Sequence, residues 1–257
     1  MKQPVLFIAH GSPMNALYNN QFTQMLNQLG KDLVKPKAIL MISAHWLTRG
    51  TTDIHSSKKP EIIYDFGNFP QALFEVKYPV SGSPELASII SESMTGFQIN
   101  LTENWGIDHG AWTILKHIYP QANIPVVQLS IDFSQSPEFH FQLGKALQFL
   151  REQNILIIAS GNLIHNLRVV DFHNQSTQAS HTWVTVLDNA IVKAIEEKDY
   201  NTLINYYTLP YANIGINNPD HYLPFLYALG AGENSVLSYP YEGYELGTLD
   251  MRCVRFD

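Results

Sequence analysis

The sequence predicts a single α/β domain with a central, mostly parallel or mixed sheet flanked by helices. Short apolar runs alternate with helical patterns along the 257 residues, and this alternation is typical of layered α/β folds. The length is near the upper limit for one domain. The Gly- and Pro-rich clusters at 79–84 and 215–219 are loop-sized, so we expect one domain over 1–257.

The predicted elements follow from two kinds of pattern. Four runs without polar alternation are dense in β-branched or large aliphatic residues, as in strands that are covered on both faces: 5–9, 38–44, 125–131 and 155–160. Apolar residues at helical spacing predict three helices: 20–30, 138–151 and 182–197. The segment 51–80 is rich in Tyr, Phe, Pro and Lys, and we expect irregular structure or edge strands there.

Composition excludes several classes of protein. The formal net charge is −7 and no basic stripe is present, so nucleic acid is not an expected partner. The run 38–44 is far shorter than the ~20 residues of a membrane span, and the first apolar run is too short for a signal peptide. We therefore expect no membrane partner and a cytoplasmic location. The single cysteine, Cys253, excludes an internal disulfide and a Cys-rich zinc site.

Three histidines stand where predicted strands end. His10 directly follows the first run, His45 directly follows the second, and His165 follows the fourth after a short Gly-Asn turn. Open α/β sheets place their ligand sites beyond the carboxyl ends of parallel strands. We therefore expect these imidazoles to converge on a shared metal ion at the strand ends. An imidazole site suits Zn, Fe, Cu or Ni.

Two further histidines are candidates for this site. His221 opens an apolar helical pattern that Asp220 or Asn218 could cap, and His109 lies between two tryptophans. Aromatic residues near the candidate ligands indicate a pocket for a flat substrate: Trp46, Trp105, Trp112 and Tyr222. The other histidines are expected to be incidental: His55, His117, His140, His173 and His181. Of these, His55 is expected to be exposed, because its neighbours are polar.

Five motifs carry a resemblance to a known family. They are HGSPMNAL (10–17), ISAHW (42–46), DHGAW (108–112), SGNLIHNL (160–167) and HYLPFLYALGA (221–231). In this order they resemble the class III extradiol ring-cleavage dioxygenases, and within that superfamily the 4,5-DOPA dioxygenase branch. The resemblance covers most of the chain, and five linked motifs are far more specific than any one of them.

The resemblance implies a function and a set of site residues. An enzyme of this family opens a small catechol, such as DOPA, with O₂ to a semialdehyde and uses one divalent metal per chain. The matching positions imply that His10, His45 and His221 bind the metal. They also imply that His165 lies beside it, as a fourth ligand or in acid–base chemistry, and that His109 contacts substrate or dioxygen.

One departure from the family leaves alternatives open. The protocatechuate branch has a glutamate as third ligand, whereas this sequence has His221. A site built from imidazole alone resembles a zinc site, so Zn²⁺ and Fe²⁺ are both candidates. A zinc-dependent hydrolase and a non-catalytic metal-binding protein therefore remain alternatives to the dioxygenase. The chain is expected to be a monomer or a small homo-oligomer.

Overall fold

An eight-stranded mixed sheet forms the centre of the protein, as seen in a computed structural model that describes residues 2–257. The strands are β1 (Val5–Ala9), β2 (Ala38–Thr48), β3 (Thr52–His55), β4 (Ile99–Thr102), β5 (Val126–Asp132), β6 (Ile155–Gly161), β7 (Leu237–Tyr241), β8 (Tyr244–Glu245), β9 (Leu249–Asp250) and β10 (Cys253–Phe256). Their order in the sheet is β4-β3-β5-β2-β6-β1-β10-β7, and β8 and β9 form a separate hairpin. The predicted single-domain α/β fold is confirmed.

The four central strands, β5, β2, β6 and β1, run parallel to one another. They are the four strands predicted from the apolar runs, and every residue of β1, β5 and β6 is buried. The outer strands include antiparallel pairs, β3 with β5 and β10 with both β1 and β7. The carboxyl ends of the four central strands therefore lie at one edge of the sheet, where the candidate site is expected.

Helices cover both faces of the sheet. They are α1 (Gln21–Asp32), α2 (Gln71–Phe74), α3 (Pro84–Ser93), α4 (His109–Ile118), α5 (Pro137–Ala146), α6 (Thr182–Glu196), α7 (Tyr200–Ile204), α8 (Ala212–Gly215) and α9 (Leu223–Ala231). Four 3-10 helices accompany them: Pro13–Ala16, Leu147–Gln153, Tyr206–Thr208 and Pro219–His221. The predicted helix over 138–151 divides at Ala146, and the chain continues with three residues per turn, which keeps Leu147 and Leu150 on one buried side.

Two apolar layers lie on opposite faces of the sheet, and alternate residues of β1 contribute to each. Val5 and Phe7 pack with α5, α6 and α9, whereas Leu6 and Ile8 pack with α1 and α4. Helix α9 is apolar on all sides and fully buried, because the sheet covers it on one side and α5 on the other. None of the helices in residues 2–257 combines the length and the apolar character needed to cross a bilayer.

Strand β2 is longer than the predicted run 38–44, and His45 lies inside it rather than after it. Its pairing with β5 is interrupted between Ile42 and Leu47 and then resumes. Such irregularities re-aim a side chain without ending the strand, and they are common beside active sites. His45 therefore lies at a break in the ladder.

The segment 51–80 contains one strand, β3, and the short helix α2 within mostly irregular chain, as expected. The expectation that His55 is exposed is wrong, since only 1% of its surface is accessible. Strand β3 is not at the edge of the sheet; it lies between β5 and β4, so the polar neighbours of His55 in sequence do not determine its exposure.

Candidate metal centre

Three histidines from distant parts of the chain meet at the carboxyl edge of the central strands. His10 follows β1, His45 lies at the break in β2, and His221 ends the 3-10 helix before α9. One ring nitrogen of each lies within 4.8 Å of the others. Nε2 of His10 and Nε2 of His45 are only 3.1 Å apart. The cluster is largely buried, with His10 and His221 at 1% and 6% exposure.

The second ring nitrogen of His10 is held by Ser160, the sixth residue of β6. Nδ1 of His10 lies 2.9 Å from Oγ of Ser160, and that hydroxyl donates its own hydrogen to the carbonyl oxygen of Gly110. The hydroxyl must therefore accept from Nδ1–H of His10. The ring consequently presents the lone pair of Nε2 to the cluster.

Asp65 holds two imidazoles at once. Its Oδ2 atom lies 3.1 Å from Nδ1 of His45 and 2.9 Å from Nδ1 of His109, and its Oδ1 atom accepts the backbone N–H of His109 at 3.0 Å. Burial would raise the pKa of this carboxyl, but the hydrogen bonds from His109 and His45 hold it well below its usual range. Asp65 lies in the irregular part of 51–80, and no periodicity or spacing in the sequence singles it out.

Helix α4 places His109 at its first position, and Asp108 caps that helix. Oδ1 of Asp108 accepts from the backbone N–H of Ala111 and from Oγ of Ser43, which lies in β2. The amide of Gln128 in β5 donates to its other oxygen. The start of α4 is thus tied to two central strands, which fixes where His109 stands.

His165 lies beside His221 and not among the three converging nitrogens. The two rings are stacked, with centroids 3.5 Å apart and planes at 5°. His165 forms a second group of possible ligands with Asp220 and His221. Burial lowers the pKa of the His165 imidazole to about 4, so the ring is neutral at pH 7.

Asp220 has a different role from the predicted helix cap. Its Oδ1 atom accepts from the backbone N–H of His221 and lies 2.9 Å from Nδ1 of the same residue. Asn218 makes no capping bond either, because its side-chain amide donates to Asp220. The turn Pro219–His221 is a 3-10 helix. Its acidic residue, Asp220, orients the ring of His221 and does not cap α9.

The donor set fits one divalent transition-metal ion. Burial and the neighbouring imidazoles lower the pKa values of His10 and His221 well below the usual value, so both rings are neutral and can donate lone pairs. Two nitrogens bound to one ion at about 2.1 Å are roughly 3.0–3.4 Å apart, which matches the 3.1 Å between His10 and His45. Acceptors hold the outer nitrogen of all three rings, as in metal sites generally.

The predicted aromatic pocket is only partly present. Trp112 and Tyr222 are core residues, because the indole donates to the carbonyl oxygen of Ile63 and the phenol to that of Leu203. Trp46 and Trp105 stack on each other with centroids 5.5 Å apart. The direction of an aromatic side chain depends on its packing, and a sequence does not show it. Phe66, which the sequence did not single out, lies with its ring edge-to-face with His109.

The five histidines expected to be incidental lie outside the three-histidine cluster. His117 bonds to the carbonyl oxygen of Asn15, and His140 bonds to the hydroxyl of Tyr227. His173 and His181 are exposed on the segment before α6.

The fold and the cluster together define an α/β protein with a group of histidines that could hold a metal ion. Residues 4–250 match the family described as the catalytic LigB subunit of aromatic ring-opening dioxygenase. The chain belongs to this family. The predicted membership of the class III extradiol dioxygenases is therefore confirmed, and the protein is an oxidoreductase of the aromatic ring-opening type. Dioxygenases of this family use a catalytic metal, for which the histidine cluster is a suitable site.

Named relatives cover nearly the whole chain. A protein of Escherichia coli (strain K12) named 4,5-DOPA dioxygenase extradiol is 42% identical over 99% of this chain and 94% of its own length. A protein of the same name from Beta vulgaris is 33% identical over 97% of this chain and 95% of its own length. The crystal structure of the uncharacterized protein JW3007 from Escherichia coli K12 superposes with a TM-score of 0.86 at 37% identity, covering 100% of both chains.

Proposed function

We propose that this dioxygenase opens the ring of a small catechol, such as DOPA, with O₂ and gives a semialdehyde. A single observation carries the proposal: the imidazoles of His10, His45 and His221, two of them buried and that of His45 half-buried, converge, and an acceptor lies at the outer nitrogen of each. The substrate follows from the relatives from Escherichia coli and Beta vulgaris, both of which are named for DOPA.

Those three histidines would hold one divalent metal ion, and we propose Fe²⁺ in preference to Zn²⁺. The donor set alone accommodates either ion. Zinc has no redox chemistry, however, whereas reaction of a catechol with O₂ requires electrons to pass from the ring to oxygen. When bound, the metal would supply the binding site for the catechol oxygens and the path for that electron transfer.

His109 is proposed as the base that takes a proton from the catechol. Its Nδ1 atom is bound by Asp65, which leaves Nε2 as the free, unprotonated nitrogen. Burial lowers the pKa of His109, although Asp65 partly offsets this, so the imidazole is neutral at pH 7 and able to accept a proton. A base held by a carboxylate in this way is positioned for one orientation and one tautomer.

His165 is proposed as the second acid–base group, and its position favours this role over that of a fourth ligand. It lies face to face with His221 rather than pointing into the group formed by the three converging nitrogens. Positioned acid–base groups contribute about 10²–10⁴ in rate. A His165→Ala variant should therefore keep its metal and lose most of its turnover.

The test is to purify the full chain without oxygen, load it with Fe²⁺ or with Zn²⁺, and add DOPA in air. We expect a yellow semialdehyde from the iron-loaded protein and none from the zinc-loaded protein. His55→Gln is a matched control, since His55 is also buried but lies outside the cluster. Failure of the fully iron-loaded protein to transform DOPA or any other catechol tested would refute the proposal.

We further propose that residues 1–257 form one catalytic domain that acts as a monomer or small homo-oligomer. Its partners are the catechol and O₂; the net charge of −7 does not favour nucleic acid or an anionic membrane surface. The single buried thiol of Cys253 is consistent with work in the reducing cytoplasm.

A further inference from the structure

Asp220 lies beside both a proposed metal ligand and a proposed acid–base group. Its Oδ1 atom is 2.9 Å from Nδ1 of His221. One ring nitrogen of His165 also lies within 4.8 Å of an Asp220 oxygen and of a ring nitrogen of His221. Asp65 is shared in the same way by the other ligand and base that contact a carboxylate: His45 and His109.

Every hydrogen bond to the Asp220 carboxylate within residues 2–257 comes from Asn218 or His221. Oδ1 accepts the backbone N–H of His221 at 2.7 Å, and Oδ2 accepts the side-chain amide of Asn218 at 2.8 Å. A carboxylate oxygen only accepts, so Nδ1 of His221 carries the hydrogen that points to Oδ1. Nε2 of His221 is left with its lone pair, as a metal ligand requires.

Three neutral imidazoles bring no charge to the divalent ion that they would hold. A buried cation is costly unless negative charge lies nearby. The outer acceptor of His10 is the hydroxyl of Ser160, which is neutral. Only the acceptors of the other two ligands can therefore carry charge, and both are carboxylates: Asp65 and Asp220.

The negative charge around the cluster already acts on one of its rings. Burial disfavours a proton on His45, but three carboxylates raise its pKa above the usual value: Asp65, Asp108 and Asp220. The same negative potential would stabilise a metal cation bound at the ring nitrogens. Asp220 thus acts on the cluster beyond the one ring that it contacts.

We propose that Asp220 is a positioning residue of the metal centre, which fixes the ring of His221 for metal binding and supplies negative charge that the neutral ligands lack. It is the counterpart of Asp65, so a unit of ligand, carboxylate and acid–base histidine occurs twice in one site. This inference rests on the proposed function, because that function assigns the ligands.

Asp220→Asn separates charge from hydrogen bonding. The amide oxygen can still accept both N–H groups of His221, while its NH₂ group faces Asn218, whose exposed side chain is free to turn away. Asp220→Ala removes the bonds as well as the charge. Loss of such a partner typically weakens metal binding about 10–100-fold, and a charge-assisted hydrogen bond is roughly twice as strong as a neutral one. We therefore expect Fe²⁺ binding to weaken about 10–100-fold in Asp220→Ala and about three- to tenfold in Asp220→Asn.

The affinities are measured by titrating Fe²⁺ against a chelator without oxygen, on the full chain. Asp171→Asn is the matched control, because Asp171 also accepts a nearby backbone N–H, that of His173, but is exposed and belongs to none of the groups that could hold a metal. Wild-type affinity in Asp220→Asn would overturn the proposal, since Asp220 would then only support its turn.

The position of the proton on His221 is measured without any metal. Nitrogen NMR of the metal-free chain with isotope-labelled histidines shows which ring nitrogen is protonated, and His221→Gln identifies the signal. We expect Nδ1–H in the wild type and in Asp220→Asn, and a mixture with Nε2–H in Asp220→Ala. A proton on Nε2 in the wild type, or an unchanged signal in Asp220→Ala, would refute positioning by Asp220.

Neither measurement depends on turnover, so the two proposals fail separately. Inactivity of the iron-loaded wild type towards every catechol would count against the dioxygenase proposal, whereas the iron affinities and the proton position decide the role of Asp220. A wild-type chain that binds no Fe²⁺ would overturn both.

Discussion

Asp65→Asn tests how the metal centre is built. One carboxylate faces three nitrogen atoms here: Oδ2 lies 3.1 Å from Nδ1 of His45 and 2.9 Å from Nδ1 of His109, and Oδ1 accepts the backbone N–H of His109. An asparagine has one oxygen and one NH₂ group. In either orientation of the amide, its NH₂ group would face an N–H group, either those of the two imidazoles or that of the His109 backbone. The negative charge is lost as well.

The expected size of the effect follows from these contacts. Loss of a carboxylate that orients a ligating imidazole typically weakens metal binding 10–100-fold, or about 1.4–2.7 kcal/mol. The same substitution removes the carboxylate that positions the His109 ring, so turnover at saturating metal should also fall. Asp65 raises the pKa values of both His45 and His109, so its removal lowers them. Because His109 must be neutral to accept a proton, the acid limb of the pH–rate profile should move to lower pH.

The assay combines a competition titration of Fe²⁺ against a chelator with oxygen uptake across pH. Asp199→Asn is the control, because Asp199 is an exposed helix cap and asparagine caps equally well. Unchanged iron affinity in Asp65→Asn, together with an unmoved acid limb, would refute the reasoning that this carboxylate organises the site.

Three further outcomes are expected. His10→Ala or His45→Ala should abolish metal binding measured by metal analysis, whereas His109→Ala should keep the metal and lose about 10²–10⁴ in rate. Burial lowers the pKa of His140 to about 4. Below about pH 6.5 this histidine therefore takes up a proton in the unfolded chain but stays neutral in the folded protein, so acidification favours unfolding. Between pH 7 and 5 the free energy of unfolding of the wild type should fall by about 2 kcal/mol more than that of His140→Gln. Burial raises the pKa of the Cys253 thiol to about 12, so iodoacetamide at pH 8 should modify only the denatured chain.

Each of these outcomes has a clear opposite. Full metal occupancy in His10→Ala would contradict the ligand assignment. Equal acid sensitivity of wild type and His140→Gln in urea unfolding would show that His140 does not carry the pH dependence. Rapid labelling of Cys253 in the native protein would mean that β10 opens far more often than its burial implies.

The central strands and the positions of two proposed ligands, His10 and His45, were predictable because the signals are local. An apolar run such as that of β1 has one stable location, the interior, and the residue that follows it must then lie at the sheet edge. His10 stands there. His221 follows no strand, and its place depended on the family resemblance and on its position before an apolar helix.

The rest of the site depends on contacts between residues distant in sequence. Asp65 lies in an irregular segment, and only the folded chain brings it between His45 and His109. Ser160 is hidden within a run of buried strand residues, so its polar role is not visible in the pattern. The extension of β2 past residue 44 likewise follows from pairing with β5, and hydropathy does not report pairing.

The most direct test of the central claim is the ratio of O₂ consumed to catechol opened by the iron-loaded protein. An oxygen electrode and the absorbance of the semialdehyde measure the two quantities in one experiment. We predict that one O₂ is consumed for each ring opened, with iron and not with zinc. Ring opening by the zinc-loaded protein, or oxygen uptake without ring opening, would contradict it.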